Sequence, residues 1–330
     1  MNNKKPLVAF VIVCWNNKEI IGECFDSIAD QTYQNHVTVM VDNDSKDDSV
    51  KYTKNNYSWV DIYEASDNLG FAKGNNVAIK YIQEKYADCE FVVLLNSDAR
   101  IKEDWLETLV NFASKKPKGA LYQSTTLDYY NHSIIDSTHI YISSNGSGVQ
   151  ASWRQPFIGE KGPRKVFGVN AAAAMVSVSF IESQPFNTLF DEKMFMYLED
   201  VDVAARATVM GWDNYLVPGS FAYHMGSASS GKNPGFSLYM TYRNNIALLV
   251  KNIPLSMLPK VLWRAMKSDY HTILHLRRIG QKKAIPKLIK GRLIGFFRLP
   301  IYYSDINKMK KYRETVSKEY LRQIMVNGEG

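Results

Sequence analysis

No apolar run in this 330-residue chain approaches the ~20 residues that a membrane-spanning helix needs. The longest, Val8 to Trp15 and Ala171 to Val178, have the length of buried strands. The opening Met1-Asn2-Asn3-Lys4-Lys5-Pro6 leads straight into the first of them. That apolar stretch is too short for a secretory signal and lacks a small-residue cleavage site, so the chain reads as cytoplasmic. Cysteine is scarce. Cys14, Cys24 and Cys89 are odd in number, far apart and form no C-x-x-C, which argues against a disulfide framework or a zinc site and for buried thiols. A nucleotide-binding glycine fingerprint is also missing: Asn68-Leu69-Gly70-Phe71-Ala72-Lys73-Gly74-Asn75-Asn76 matches neither G-x-G-x-x-G nor G-x-x-x-x-G-K-[ST]. The first strand is followed by Asn16-Asn17-Lys18 instead. Both facts argue against a dinucleotide oxidoreductase or a P-loop NTPase.

The hydrophobic share of 45% is ample for a core. Charge is unevenly placed. Residues 251–330 hold 18 Lys and Arg against 5 Asp and Glu, whereas the first 250 residues are net −6. An acidic body with a basic tail points to an anionic surface as the tail's partner.

Strand-like and helix-like stretches alternate. Val8–Val13, Val37–Val41, residues 60–64 and Phe91–Leu95 read as strands; Glu19 to Ala29, Phe71 to Tyr86 and Trp105 to Ala113 read as helices. The expected fold class is therefore α/β, with a mostly parallel sheet and flanking helices. Ligands of such sheets bind beyond the carboxyl ends of strands. Polar motifs stand at three such ends: Asn16, Asp42 to Ser45, and Asn96 to Asp98. Residues 120–165, rich in Tyr, Ser, Asn and Gly, read as loops and short antiparallel strands, an acceptor-side flap among them.

Three clusters bear chemistry. Asn96-Ser97-Asp98 has the form of D-x-D with an amide in first place; its carboxylate could hold Mg²⁺ or Mn²⁺, or serve in a turn or helix cap. Glu199-Asp200-Val201-Asp202 opens a helix, where acidic side chains suit the dipole. Asp202 and Arg206 are four apart and pair on one face, a structural role. Asp200 projects about 200° away, where it either takes a proton from a hydroxyl or only decorates the helix start. His224, 24 residues after Asp200, is a metal ligand or a satisfied histidine beside a loop.

Together these stretches resemble the inverting family 2 glycosyltransferases of GT-A fold, a Rossmann-like nucleotide-diphospho-sugar transferase fold. The matching segments are VIVCWNN, VDNDSKDDS, DNLGFAKGNN, LLNSDA, FDEKMFMYLEDVDVAARATVMGW and His224. LYMTYRNNIALLVKN at 238–252 is similar to the rhamnosyl- and galactofuranosyltransferase branch. The resemblance implies that Asp42 and Asn43 contact the nucleotide base or ribose, and that Gly70 and Asn75 shape the nucleotide pocket. It implies Asp98 and His224 as metal ligands with Asn96 nearby, Asp200 as catalytic base, and Glu199 as the residue that binds or orients the acceptor. Asn43 and Asn96 stand where acidic residues are usual, a pattern of the rhamnosyltransferase-like branch. The implied activity is that of a hexosyltransferase in cell-surface polysaccharide synthesis, with dTDP-L-rhamnose first among donors and UDP-sugars (galactofuranosyl or hexosyl) next, and with Mn²⁺ or Mg²⁺ as cofactor.

The expected organisation is a GT-A domain over residues 1–252 and a basic, amphipathic, helical C-terminal region over 253–330. Aromatic and basic residues alternate there, as in Trp263-Arg264 and Phe296-Phe297-Arg298. This suits peripheral attachment to an anionic membrane, on the inner face of the cell membrane, and a glycan or lipid-linked acceptor. An ordinary solvated helix face or a dimer contact would also account for the pattern, so an oligomer is compatible with the sequence. A nucleotidyltransferase is disfavoured by Asn16-Asn17, and a nucleic-acid binder by the confinement of charge to the tail. A catalytically inactive sugar-nucleotide-binding scaffold is the remaining alternative.

Overall fold

A computed structural model describes residues 5–226 and 234–316. Residues 317–330 of the basic C-terminal region lie outside the described residues.

The chain runs β1 (Leu7–Cys14), α1 (Ile21–Ala29), β2 (His36–Asp42), α2 (Ser49–Asn56), β3 (Val60–Glu64), α3 (Gly70–Lys85), β4 (Cys89–Leu95), β5 (Ala99–Ile101), α4 (Trp105–Ala113) and β6 (Gly119–Asp128). It continues β7 (Ile135–Ser137), β8 (Ile140–Ile142), β9 (Gly148–Gln150), β10 (Arg164–Val166), β11 (Ala173–Ser177), α5 (Val178–Ser183), α6 (Glu199–Val209) and β12 (Asp213–His224). Four long helices close it: α7 (Pro234–Asn252), α8 (Leu258–Arg278), α9 (Ile285–Phe297) and α10 (Tyr303–Arg313).

Among the described residues the main sheet has the order β10-β12-β6-β11-β4-β1-β2-β3. The pairs β1–β2, β1–β4, β2–β3 and β6–β12 are parallel. β11 runs antiparallel to both neighbours. Strand periodicity places the core on both faces. Ala9 and Val11 of β1 join the cluster that includes Ala78 and Ile82 of α3. Val8, Phe10 and Ile12 face the opposite way, onto Phe25 of α1 and Trp105 of α4. The sheet is thus buried from both sides, as its near-continuous apolar strands require.

Three segments differ from the sequence reading. α1 begins at Ile21 rather than Glu19, because the amides of Ile20 and Ile21 both turn back to the Asn17 carbonyl. α2 lacks an apolar stripe, burying only Ser49 and Thr53. Most notably, β6 is a ten-residue strand in the middle of the sheet, within the stretch read as loops and short strands. Its Gln123-Ser124-Thr125-Thr126 run is buried. Those polar side chains are satisfied inside the protein: Trp105 donates to Ser124 Oγ at 2.7 Å, and Gln123 accepts from the Asn170 amide and donates to the Ser137 carbonyl. A buried polar strand is tolerated when its groups are paired. The short antiparallel strands β7, β8 and β9 follow it as expected.

Candidate active site

The cleft, of about 870 Å³, opens at the carboxyl ends of β1, β2 and β4. Asp42 ends β2 and pairs in register with Cys14, the end of β1. The next residue, Asn43, donates its side-chain amide to the Gly70 carbonyl at 3.1 Å, and so ties the strand end to the start of α3. Gly70 has φ +74, and a Cβ there would lie 2.5 Å from the Phe195 ring. No other residue fits that close, left-handed position without strain. Asp42 Oδ2 caps the Ser45 amide. Asp42 Oδ1 and Asn43 Oδ1 are buried and meet no donor among the described residues. Of the two, Asn43 lines the cleft and Asp42 does not. Asn75 differs from expectation. It is buried one turn along α3, donates back to the Phe71 carbonyl at 2.8 Å, and does not line the cleft.

Asn96-Ser97-Asp98 forms a turn between β4 and β5, closed by the Ala99 amide on the Asn96 carbonyl. The turn places Asp98 in the lining of the cleft. β5 pairs with β12 so that His224 sits opposite Ala99. This register brings His224 Nε2 to 3.4 Å from Asp98 Oδ1 and 3.3 Å from Asn96 Nδ2. On the other side of the ring, Nδ1 meets Asp136 Oδ2 at 3.0 Å. Asp136, on β7, carries no sequence signal, being a lone acid in a short strand; only the pairing of β7 with β6 discloses it. Burial works against a charged imidazole here, but hydrogen bonds to Asp136 and Asp98 outweigh it and push the His224 pKa up to about 10.

That arrangement fits a divalent cation. A cation between Asp98 and His224 would replace the imidazolium proton, with Asp136 holding Nδ1–H and leaving Nε2 to coordinate. Among the described residues no group of three or more His, Cys, Asp or Glu is arranged to hold an ion alone. Asp98 and His224 would be the protein's ligands to such an ion, with the remaining positions left to phosphate oxygens and water, as is usual for Mg²⁺.

The acidic cluster enters from a third direction. Phe195, Tyr197 and Leu198 all have positive φ, 65°, 69° and 69°. These left-handed residues turn the chain so that α6 starts at the cleft wall with Glu199 and Asp200. Asp202 points inward, bonded to Arg206, Lys251 and Asn252, as its structural reading required. Asp200 lines the cleft, yet it is not without partners: its Oδ1 accepts from the Val201 amide at 2.7 Å. Burial raises its pKa to about 6 despite such backbone bonds. Glu199 is buried, and its Oε2 meets no donor among the described residues. Burial first, and the Asp200 charge second, raise its pKa to about 8. Burial thus raises both carboxyls, and neighbours this close titrate as a pair.

A model of the family described as "Glycosyl transferase family 2" matches residues 9–180. Rhamnosyltransferase WbbL of Escherichia coli (strain K12) is 24% identical over 241 residues, 66% of this chain and 83% of that protein. N-acetylglucosaminyl-diphospho-decaprenol L-rhamnosyltransferase of Mycobacterium tuberculosis (strain ATCC 25618 / H37Rv) is 24% identical over 280 residues, 77% of this chain and 88% of that protein. Among solved structures, GalNAc-T7 with UDP, GalNAc and Mn²⁺ superposes with TM-score 0.62 at 13% identity, covering 92% of this chain and 58% of that one. S. aureus TarS 1-349 in complex with UDP superposes with TM-score 0.54 at 13% identity, covering 94% and 90%. At these identities the superpositions establish the GT-A fold.

Proposed function

Because the chain belongs to glycosyl transferase family 2, and is thus a glycosyltransferase, we propose that it moves L-rhamnose from dTDP-L-rhamnose to a hydroxyl of a glycan or lipid-linked acceptor, with inversion. The rhamnosyltransferase names of two relatives support the sugar. The observation that carries the chemistry is the meeting, in one cleft, of the Asp98–His224 pair with the Glu199–Asp200 pair.

In this reading Asp42 and Asn43 take hydrogen bonds from the base or ribose through their unpartnered oxygens. Gly70 lets the backbone approach the nucleotide closely, and Asn96 lies beside the ion site. Asp98 and His224 hold Mg²⁺ or Mn²⁺, which when bound would neutralise charge growing on the leaving diphosphate. Asp136 fixes the His224 tautomer. Glu199 orients the acceptor, and Asp200 takes the proton from the attacking hydroxyl in a single displacement at the anomeric carbon. Melting midpoints with dTDP- and UDP-sugars, each with and without Mn²⁺, test the donor assignment. Ligand that binds the native state raises the midpoint in a concentration-dependent way, and dTDP-L-rhamnose is expected to do so most. A UDP-sugar giving the larger shift would replace it by the second donor class.

Residues 1–252 carry the transfer in this proposal, and 253–330 attach the enzyme to an anionic membrane face. No described helix is long and apolar enough to cross a bilayer. The support comes from two outward faces. On α8, Trp263, Met266 and Tyr270 are exposed at helical spacing; on α9, Ile289, Leu293, Phe296 and Phe297 are. Between residues 258 and 298 there are eleven Lys and Arg and one acid, Asp269, which is paired with Arg292. The opposite face of α9 packs so closely on α7 that a Cβ at Gly291 would lie 2.5 Å from the Tyr239 carbonyl oxygen. Cutting the chain at 252 would strip that packing, so point variants are the better probe. Leu293→Glu with Phe297→Glu is expected to lower co-sedimentation with anionic vesicles about tenfold or more, given ~0.8 kcal/mol per buried methylene. Equal sedimentation of both forms would remove the membrane proposal.

A further inference from the structure

Asn244 lies midway along α7 and is wholly buried. A polar side chain so placed needs partners inside the protein. Its amide nitrogen reaches three backbone carbonyls, those of Met194 at 2.9 Å, Met196 at 3.0 Å and Tyr197 at 2.8 Å. With two N–H groups for three acceptors, at least one bond is shared. Arg243 keeps the amide the right way round: its Nε donates to Asn244 Oδ1 at 2.9 Å. Arg243 Nη2 adds a bond of 2.6 Å to the Met194 carbonyl.

The carbonyls held in this way belong to strained backbone. Phe195, at φ 65° and ψ −62°, is the centre of a γ-turn of the rare hand, closed by the Met196 amide on the Met194 carbonyl at 2.8 Å. Tyr197 and Leu198 follow in the left-handed region, each at φ 69°. Such conformations persist only where the surroundings over-determine them. Here the Phe195 carbonyl accepts from the Ala72 amide of α3 at 3.0 Å. The carbonyls on either side of it go to Arg243 and Asn244.

Position gives the strain a use. The chain lines the cleft without a break from Phe195 to Val201, and Glu199 and Asp200 follow the last left-handed residue directly. Neither Arg243 nor Asn244 is among the described residues that line the cleft, so their influence on the chemistry passes through this segment. Asp202, on the inner side of the same helix start, is held separately, by Lys251 and Asn252 further along α7.

We propose that Arg243 and Asn244 are positioning residues for the transfer: they lock the Met194–Leu198 segment in its strained form, and that form sets where the Glu199 and Asp200 carboxyls stand in the cleft. This rests on the reading of Asp200 as the base of a sugar-transfer site.

The test uses the full chain with Mn²⁺ and the nucleotide sugar that raises its melting midpoint most. Water serves as acceptor. Its oxygen bonds the anomeric carbon, the bond from that carbon to the diphosphate breaks, and its proton passes to Asp200, giving free sugar and nucleoside diphosphate. Asn244→Ala removes the three bonds to carbonyls. Asn244→Asp keeps the shape but, when ionised, sets an acceptor against acceptors. Both are expected to lower kcat on the order of 100-fold, the cost of misplacing a reacting group by about 1 Å, with the donor KM unchanged. Amide hydrogen exchange over residues 195–201 speeds up in both, while that of α1 stays at the wild-type level. Ser124→Ala, which loses a buried bond to Trp105 away from the cleft, controls for general destabilisation and keeps wild-type kcat and wild-type exchange over 195–201. Where neither Asn244 variant folds, Arg243→Met, at a half-buried position, is expected to give the same pattern with a smaller loss of kcat. The proposal falls if a folded Asn244 variant keeps wild-type kcat or wild-type exchange over 195–201. It falls if the loss appears in the donor KM instead, which would assign the clamp to the nucleotide pocket. It falls too if neither Asn244 variant folds and Arg243→Met keeps wild-type kcat. A wild type that releases no nucleoside diphosphate from any nucleotide sugar ends the transferase reading first, and this proposal with it.

Discussion

Asp200→Asn lowers the transfer rate on the order of 10³-fold, the range expected for loss of a positioned general base, while donor affinity stays at the wild-type level. Asparagine keeps the shape and the hydrogen bond from the Val201 amide but cannot take a proton. The pH profile carries the same assignment. Burial raises the Asp200 carboxyl from 3.8 to about 6, so the basic form, and with it the rate, grows as pH rises through about 6. The sign for stability is opposite. A carboxyl whose folded pKa is raised stabilises the fold below its unfolded pKa, and that contribution is lost as pH rises through the folded value. Asp200→Asn is therefore expected to be somewhat more stable than the wild type at neutral pH, as active-site charges held against burial often predict. Rate-versus-pH and melting curves check both signs. Wild-type turnover in the variant would end the assignment of Asp200 as base.

Lys251→Met destabilises the fold by about 3–5 kcal/mol, the cost of leaving buried charge without its partner. Lys251 is 1% exposed. Its ammonium lies 2.6 Å from Asp191 and 2.9 Å from Asp202, both nearly inaccessible. Burial opposes the charged lysine, but the charges of Asp202 and Asp191 overcome it and raise its pKa. Asp202 also takes Arg206, which in turn bonds Gln184 and the Leu189 carbonyl. The network joins α6 to α7, and α6 begins with Glu199 and Asp200. Loss of Lys251 is thus expected to lower kcat even in the fraction that stays folded. Urea unfolding measures the first effect. A variant within about 1 kcal/mol of wild type, the range of exposed pairs, would mean that the network is not the tie it looks to be.

These two acids, two residues apart, illustrate how far the sequence could be read. The i,i+4 spacing of Asp202 and Arg206 is local, so their pairing was visible before any fold. Lys251 is 49 positions beyond Asp202, and no periodicity links them. The same division holds for the architecture. Residues 60–64 and Trp105 to Ala113 were legible from apolar spacing alone, and β3 and α4 have those bounds. β6 was not, because a strand of Gln, Ser and Thr resembles a loop until its buried partners are known. In the cleft, Asp98 and His224 stand out by residue type and by their place at strand ends. Asp136 does not, since its role arises only from the register of β7 on β6. Asn75 shows the converse: a polar residue in a suggestive motif whose amide is used by its own helix. The tie from Asn244 to the Met194–Leu198 segment needed backbone angles that no composition reveals.

The most direct measurement is calorimetric titration of the donor nucleotide sugar in Mn²⁺ and in chelator, on wild type and on His224→Gln. Saturable binding that Mn²⁺ strengthens about tenfold or more is expected in the wild type, in line with the loss seen when an ion's supporting ligands are removed. This enhancement is expected to disappear in His224→Gln, with metal-independent binding retained. Mn²⁺-enhanced binding that survives the substitution, or no binding of any nucleotide sugar in either condition, would contradict it.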